Sequence, residues 1–99
     1  NEFIRKDAAE ALGRIDPKSG DVIPALIKAL GDTGPGVREN AARSLGNFGP
    51  KAKAAVPALI EALDDYGRKV CAAAAEALLK ISSDSDVIEK AEKVLDTGN

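Results

Sequence analysis

A chain of 99 residues, whose apolar side chains are mostly alanine and leucine, suffices for one domain of closely packed helices. Its 14 basic and 16 acidic residues are mixed along both halves, which excludes the basic patch of a nucleic-acid interface. Because histidine is absent, the sequence excludes Ser-His and Cys-His nucleophile pairs, histidine general bases and most zinc sites.

The first predicted helix spans residues 3–15 and is named a B helix. Apolar residues recur on one of its faces at 100° per residue, with a further alanine at the margin. These residues are Ile4, Ala8, Leu12 and Ile15, with Ala9 at the margin. A shift of 33 residues reproduces the pattern twice along the chain. The repeat therefore predicts further B helices near residues 36–48 and 69–81.

A second kind of helix, named an A helix, follows each B helix. The segment Pro-Ala-Leu-Ile-Lys-Ala-Leu at residues 24–30 returns 33 residues later as Pro-Ala-Leu-Ile-Glu-Ala-Leu. Asp21 is the predicted N-cap of the first A helix, which leaves Pro24 in the first turn, where its missing N–H costs nothing. An earlier start of the second A helix, near Lys51, would make Pro57 a kink inside it.

The third A helix is predicted at residues 86–96. Asp86 and Glu89 have the spacing of a capping box with Asp86 as the N-cap, and Gly98 is the predicted C-cap. The helix order is therefore B-A-B-A-B-A. Because each pair has an apolar face that only its neighbours can bury, the pairs must stack as an α-solenoid. The predicted repeat units span about 1–20, 21–50, 51–83 and 84–99 within a single domain, 1–99.

Glycine recurs at one position of the B helices, as Gly13 and Gly46. A glycine inside a helix costs about 1 kcal/mol relative to alanine, so a packing reason is expected. The reason we predict is a close approach between neighbouring helices. Leu79 takes this position in the third copy, and the sequence offers no explanation for it.

Two motifs together resemble the HEAT-like repeat, and more narrowly its short variety named after phycocyanobilin lyase subunits. They are Pro-Ala-Leu-Ile-x-Ala-Leu, ending in a turn with Asp32 or Asp65, and Val-Arg-x-x-Ala-Ala-x-x-Leu-Gly, from Val37 to Gly46. The resemblance covers nearly the whole chain and implies an all-α, right-handed α-solenoid (α-α superhelix) of about three helix pairs. It also implies that the B helices line the concave face. A polar ladder between repeats, again implied by the resemblance, would consist of Arg5, Asp32, Arg38 and Asp65, with Cys71 replacing the arginine in the third copy.

A polar stripe runs across the B helices on the side away from the predicted core. Its residues are Lys6, Glu10, Arg14, Glu39, Arg43, Asn47, Ala72, Glu76 and Lys80. One row, Glu10, Arg43 and Glu76, alternates in sign across helices that lie roughly 8–10 Å apart. The stripe is interpreted in two compatible ways: as a ladder that adds about 0–1 kcal/mol per exposed pair, or as a face that docks a partner. Docking would be easiest in the third copy, which Ala72 and Ala73 make smoother.

Cys71 is the only cysteine, so no internal disulfide can form, and the chain suits a reducing compartment, the cytoplasm. A small buried residue is favoured over a reactive thiol at this position. The aspartates of the loops stand at helix ends, where capping is favoured over cation binding. They are Asp64, Asp65, Asp84 and Asp86. Tyr66 is predicted to anchor a loop, and Phe3 to cover the open end of the stack.

The function favoured by these features is a non-catalytic scaffold that binds a protein or peptide on its B helices. No catalytic residue, metal site or cofactor is predicted. An accessory subunit of a bilin-lyase-like enzyme would need a chromophore pocket, which no residue marks. A HEAT-like nucleic-acid binder would need a positive face with stacking aromatics. No apolar run approaches the roughly 18 residues of a membrane span, so no membrane partner is expected.

The two ends of the predicted stack are open. The first helix is a B helix without its A helix, and the last is an A helix without its B helix, so each leaves an apolar flank uncovered. Two explanations stay open: the chain is a piece of a longer array, or chains associate end to end through these flanks.

Overall fold

The structure, a computed structural model, describes residues 1–16, 18 and 20–97. Over these residues the backbone forms six α-helices and no strand. They are α1 (Glu2–Leu12), α2 (Val22–Ala29), α3 (Pro35–Phe48), α4 (Val56–Ala62), α5 (Arg68–Ile81) and α6 (Ser85–Thr97). The predicted all-α fold is confirmed. The handedness of the superhelix stays a prediction.

The core lies between two rows of helices. Helix α3 packs between α1 and α5, while α2, α4 and α6 pack against the row formed by these three. The largest side chains that solvent does not reach come from both rows, and they are Leu26, Leu45, Leu59, Leu78, Val37 and Val70. Alanine fills the remaining contacts of α3 and α5, which lets their backbones pack closely.

The turns before α3 and α5 share one geometry. Asp32 Oδ1 accepts a hydrogen bond from the Gly34 amide at 2.8 Å, and Asp65 Oδ1 accepts one from the Gly67 amide at the same distance. Each glycine is the N-cap, with extended backbone, of the helix that follows it. The aspartate side chain thus closes a short turn of its own, as this residue type often does, and fixes where the next helix begins.

Close packing accounts for the two recurring glycines. A Cβ atom on Gly46 would lie 2.8 Å from Ala77 Cα, and one on Gly13 would lie 2.3 Å from Ser44 Oγ. Both positions face the next B helix. In the third copy no described helix lies beyond α5, and Leu79 is 37% exposed. The sequence left Leu79 unexplained, and the structure shows that nothing there requires a glycine.

The first B helix is shorter and less buried than predicted. It ends at Leu12 rather than at residue 15, because Gly13 weakens the helix and Pro17 disfavours helical backbone at Asp16. Ala9, expected at the margin, is the only buried residue of α1. Ile4, expected in the core, is 68% exposed because no described helix covers its side of α1.

Three details of the A helices also differ from the prediction. Residues Gly49–Ala55 form a 3₁₀ segment that breaks at Ala52, so Pro57 lies in the first turn of α4 and kinks nothing. Gly49, at φ 63°, makes the turn that separates this segment from α3. Asp84, not Asp86, caps α6, since its Oδ1 accepts from the Asp86 amide at 2.8 Å. The predicted C-cap at Gly98 lies outside the described residues.

The predictions for three single residues were wrong. Cys71 is half-buried rather than buried, and its thiol donates to the carbonyl of Arg68 at 3.2 Å. It occupies the position of Arg5 and Arg38 in the other copies, which lies at the rim of the stack. Tyr66 is fully exposed and anchors nothing, and Phe3 is 76% exposed and covers no part of the core.

Candidate interaction surface

Two adjoining grooves run along the outer side of α1, α3 and α5, a surface called here the B face. The first groove, of about 220 Å³, lies between α1 and α3 and is lined by Glu10, Gly13, Arg14, Asn40, Arg43, Ser44 and Asn47. The second, of about 210 Å³, lies between α3 and α5 and is lined by Arg43, Gly46, Asn47, Ala73, Glu76, Ala77 and Lys80. Arg43 and Asn47 belong to both grooves, so α3 forms the ridge between them.

Two buried polar side chains of α3 form the floor of the first groove. Asn40 Nδ2 donates to the carbonyl of Lys6 at 3.3 Å, and Ser44 Oγ donates to the carbonyl of Ala9 at 3.2 Å. These bonds tie α3 to the backbone of α1 at the point where Gly13 permits close approach. Asn40 Oδ1 accepts no hydrogen bond from a described residue, yet it is not a buried unsatisfied atom. Asn40 as a whole is only 7% exposed, so its amide belongs to the floor of the groove.

The charged side chains of the B face pair within helices rather than between them. Arg14 Nη2 lies 2.9 Å from Glu10 Oε1, and Arg43 Nη2 lies 2.6 Å from Glu39 Oε2. No ion pair between described residues joins Glu10 to Arg43 or Arg43 to Glu76. Residues four apart on one helix are closer than residues on neighbouring helices. The proposed ladder along this row is therefore not formed.

Six of the nine residues predicted for the polar stripe line the grooves. They are Glu10, Arg14, Arg43, Asn47, Glu76 and Lys80. Lys6 lies beside Gly36, and Glu39 borders a separate hollow near Arg68. Ala72 is half-buried and lines neither groove, because Ala73 faces the groove in its place.

The sequence reasoning missed Asn40 and Ser44. A signal for both was present: at their positions the third copy has Ala73 and Ala77, so a polar residue there stands among small apolar ones. Such a residue at a helix contact needs a hydrogen-bond partner on the neighbouring helix. The carbonyl groups of α1 supply it.

The four residues of the implied ladder lie together as two pairs, at the turns before α3 and α5. Arg5 donates from Nε and Nη2 to the Asp32 carboxylate at 2.8 and 3.1 Å, and Arg38 donates in the same way to Asp65. Arg38 also donates from Nη1 to the carbonyls of Asp32 and Thr33, at 2.8 and 3.1 Å. Each arginine thus connects its own helix to the turn of the next repeat.

These pairs hold the carboxylates in their charged form. The hydrogen bonds from Arg38 lower the pKa of Asp65 below its ordinary value, aided by the Gly67 amide and opposed by partial burial. The pKa of Asp32 is lowered for the same reason, first by Arg5 and then by the Gly34 amide. Asp32 and Asp65 already accept hydrogen bonds from an arginine and a backbone amide. These bonds support a structural role for both aspartates.

A comparison with protein families agrees with the periodic helices, the aspartate turns and the arginine pairs. The profile of the family described as HEAT repeats matches residues 1–79. The chain belongs to the HEAT-repeat family. No curated protein matches the chain. The narrower assignment to the phycocyanobilin-lyase variety of HEAT repeats stays a prediction.

Within residues 1–16, 18 and 20–97, no three His, Cys, Asp or Glu side chains are grouped so that they could hold a metal ion. In the same part of the chain no helix has both the length and the apolar character needed to cross a membrane. On the B face the HEAT repeats form two adjoining grooves lined by charged side chains, with the buried amide of Asn40 at the floor of one.

Proposed function

We propose that this protein is a non-catalytic interaction module that binds a polar segment of another protein along the B face. HEAT repeats generally mediate protein–protein interaction, and the family is typically non-catalytic. The observation that carries the proposal is the pair of adjoining grooves that share Arg43 and Asn47. A partner that spans both grooves would contact all three B helices at once.

The size of the grooves favours protein side chains over a cofactor. Each groove, at about 220 and 210 Å³, is smaller than the roughly 300–1,000 Å³ of typical small-molecule pockets. Two such grooves on neighbouring helices suit successive side chains of one peptide segment. On the B face, groove size therefore favours a peptide segment over a cofactor.

The lining of the grooves defines the partner's chemistry. Each groove contains two cationic side chains and one carboxylate, so a segment with both hydrogen-bonding groups and an acidic side chain is complementary to it. Arg43 is the central cation; its Nη2 already donates to Glu39, and its other N–H groups can donate to a partner's carboxylate. We therefore expect Arg43 to contribute most to binding, with Asn47 beside it.

Site-specific photo-crosslinking tests the proposal. A photoreactive residue at position 47 should crosslink one protein partner from a native extract, and the same residue at position 90, on the exposed side of α6, should not. With that partner purified, Arg43→Ala should weaken binding at least tenfold, and Lys90→Ala should leave it unchanged. Equal crosslinking at both positions, or unchanged affinity of Arg43→Ala, would refute the B face as the binding surface.

A further inference from the structure

The two grooves of the B face are similar in size but differ in chemistry. The floor of the first groove is polar, because the buried side chains of Asn40 and Ser44 form it. At the equivalent positions of the second groove, 33 residues later, the chain has Ala73 and Ala77, which are also buried. A segment that crosses both grooves therefore meets a polar floor in one and an apolar floor in the other.

The charged side chains of the two grooves differ as well. In the first groove Arg14 is paired with Glu10 at 2.9 Å, and both residues line that groove. Lys80 and Glu76 hold the equivalent positions in the second groove, yet neither side chain forms an ion pair with a described residue. Of the three cations that line the grooves, Lys80 is therefore the one without an ion pair among the described residues.

This unpaired cation selects the groove for an acidic side chain. A carboxylate that approaches Arg14 meets Glu10, which already pairs with that cation and repels a second negative charge. A carboxylate that approaches Lys80 displaces no ion pair. Arg43 and Asn47 line the same groove and offer N–H donors to the carboxylate oxygens. The second groove is therefore the better site for an acidic side chain.

The position of Glu76 locates the acidic side chain within the second groove. Glu76 precedes Lys80 by four residues, about 6 Å along the axis of α5, and would repel a carboxylate at its own end of the groove. In the repeat, Asn47 of α3 matches Lys80, whereas Arg43 matches Glu76. We therefore expect the acidic side chain to lie between Asn47 and Lys80, with a further donor from Arg43.

The first groove favours a neutral polar side chain. Its two cations are already paired, Arg14 with Glu10 and Arg43 with Glu39. An apolar side chain would cover polar groups of the floor and walls without offering them a hydrogen bond, which is unfavourable. Serine, threonine, asparagine and glutamine both donate and accept hydrogen bonds. One of these residue types is thus complementary to the first groove.

The distance between the grooves sets the spacing of these two side chains. Neighbouring B helices lie roughly 8–10 Å apart. In the polyproline II conformation three residues advance about 9.3 Å and bring side chains i and i+3 to the same side. A β-strand places side chains i and i+3 on opposite faces. A docked helix depends on large apolar anchors, whereas the residues that line the two grooves include no large apolar side chain.

Resting on the B-face function proposed above, we infer that the partner segment is extended and carries an acidic residue and a neutral polar residue three positions apart. The acidic residue binds Lys80 in the second groove, and the neutral residue binds in the first. Lys80 is thus the residue that determines specificity. Both grooves lie between described B helices, and a repeat of the same solenoid contacts only its stacking neighbours, so the occupant is a segment of another protein.

Selection of binders from a random library of short peptides displayed on phage, against the full chain, tests the inference. Enriched peptides should share an acidic residue and, three positions from it, serine, threonine, asparagine or glutamine. By fluorescence anisotropy, Lys80→Gln should weaken their binding about fivefold, the upper range for an exposed ion pair. The matched variant Arg14→Gln, at the equivalent position of α1, should weaken it by less than about twofold.

A charge reversal then tests the contact itself. Replacement of the peptide's acidic residue by lysine should abolish binding to the wild-type chain and restore it to Lys80→Glu. Lys80 lies in the last turn of α5, where a cation favours the helix end. Urea denaturation of both Lys80 variants therefore accompanies the binding measurements, and each should unfold in a cooperative transition.

The outcomes separate this inference from the B-face function. Equal effects of Lys80→Gln and Arg14→Gln, absence of charge compensation, or enriched peptides without the three-residue spacing would overturn the inference. If Arg43→Ala still weakened binding of those peptides, the B face would remain the binding surface. Failure to enrich any peptide, or unchanged affinity in Arg43→Ala, would overturn both.

Discussion

At the scale of single residues, the two arginine–aspartate pairs differ in how far solvent reaches them. The side chains of Arg38 and Asp65 are 18% and 13% exposed, while Arg5 is 43% exposed. Water and salt weaken a charged pair in proportion to its exposure. Arg38 also holds the carbonyls of the preceding turn. The pair of Arg38 with Asp65 is therefore the one whose removal should be measurable.

Replacement of Arg38 by methionine keeps the apolar stem but removes its hydrogen bonds. We expect the free energy of unfolding at pH 7 to fall by about 2 kcal/mol, because a partly buried carboxylate loses its partner. The matched control is Arg43→Met. Arg43 is 59% exposed in its pair with Glu39, so loss of that pair should cost only about 0.5 kcal/mol. Urea denaturation measures both.

The effect of Arg38→Met on the free energy of unfolding should depend on pH. The pKa of Asp65 is lower in the folded chain than its ordinary value, so its pairing stabilises the fold fully above the unfolded pKa, about 3.9. That stabilisation is lost as the pH falls through the lower, folded pKa. The difference in unfolding free energy between wild type and Arg38→Met should be constant from about pH 5 to pH 7 and shrink below about pH 4. A difference that grows on acidification would contradict this account.

At the scale of residues, sequence patterns predict which residues take part in interactions better than they predict which partner each residue contacts. The resemblance implied that Arg38 and Asp65 belong to one ladder, and the structure places them in contact. The alternating row of Glu10, Arg43 and Glu76 suggested pairs between helices, whereas Arg43 pairs with Glu39 on its own helix. Judged by sequence spacing, partners on the same helix and on the neighbouring helices were all within reach of Arg43. The choice depends on side-chain geometry, which periodicity does not contain.

At the scale of helices, the boundaries of α3 and α5 were predictable, whereas the end of α1 and the segment before α4 were not. The predicted B segments 36–48 and 69–81 agree within one residue with Pro35–Phe48 and Arg68–Ile81. Both are buried along their length, so periodicity and packing agree. Helix α1 is mostly exposed and ends early. The 3₁₀ segment before α4 follows from local backbone geometry at Gly49 and Ala52, which the apolar pattern does not show.

The distance between α3 and α5 gives a prediction for Gly46→Ala. The added Cβ would lie 2.8 Å from Ala77 Cα, so the helices must move apart. Overpacking costs typically 1–3 kcal/mol, and alanine recovers about 1 kcal/mol of helix propensity. We expect a net loss of about 1 kcal/mol in urea denaturation. Gly20→Ala, with no atom within 4 Å of its Cβ, should change stability by less than about 0.5 kcal/mol. A stabilising Gly46→Ala would show that the contact is looser than described.

At the scale of the whole molecule, the three copies of the repeat are alike in sequence but not in burial. Ile4, Val37 and Val70 hold one position and are 68%, 2% and 1% exposed. Periodicity predicted all three as core residues because it treats each copy in the same way. Burial depends on what covers a copy, and no described helix covers the side of α1 that faces away from α3. The repeat was therefore predictable, and the unequal burial of its copies was not.

The leucine of each B helix tests this inequality. Leu45 and Leu78 are fully buried, and truncation to alanine should cost about 3 kcal/mol each, through lost burial and the cavity left behind. Truncation of Leu12, which is half-buried at the α1 end of the stack, should cost about 1 kcal/mol, because part of its surface already meets water. The three variants are chemically identical, so the difference reports the position in the stack alone. Equal losses in urea denaturation would mean that the α1 end is covered in solution. Light scattering of the same samples would then show whether a second copy supplies that cover.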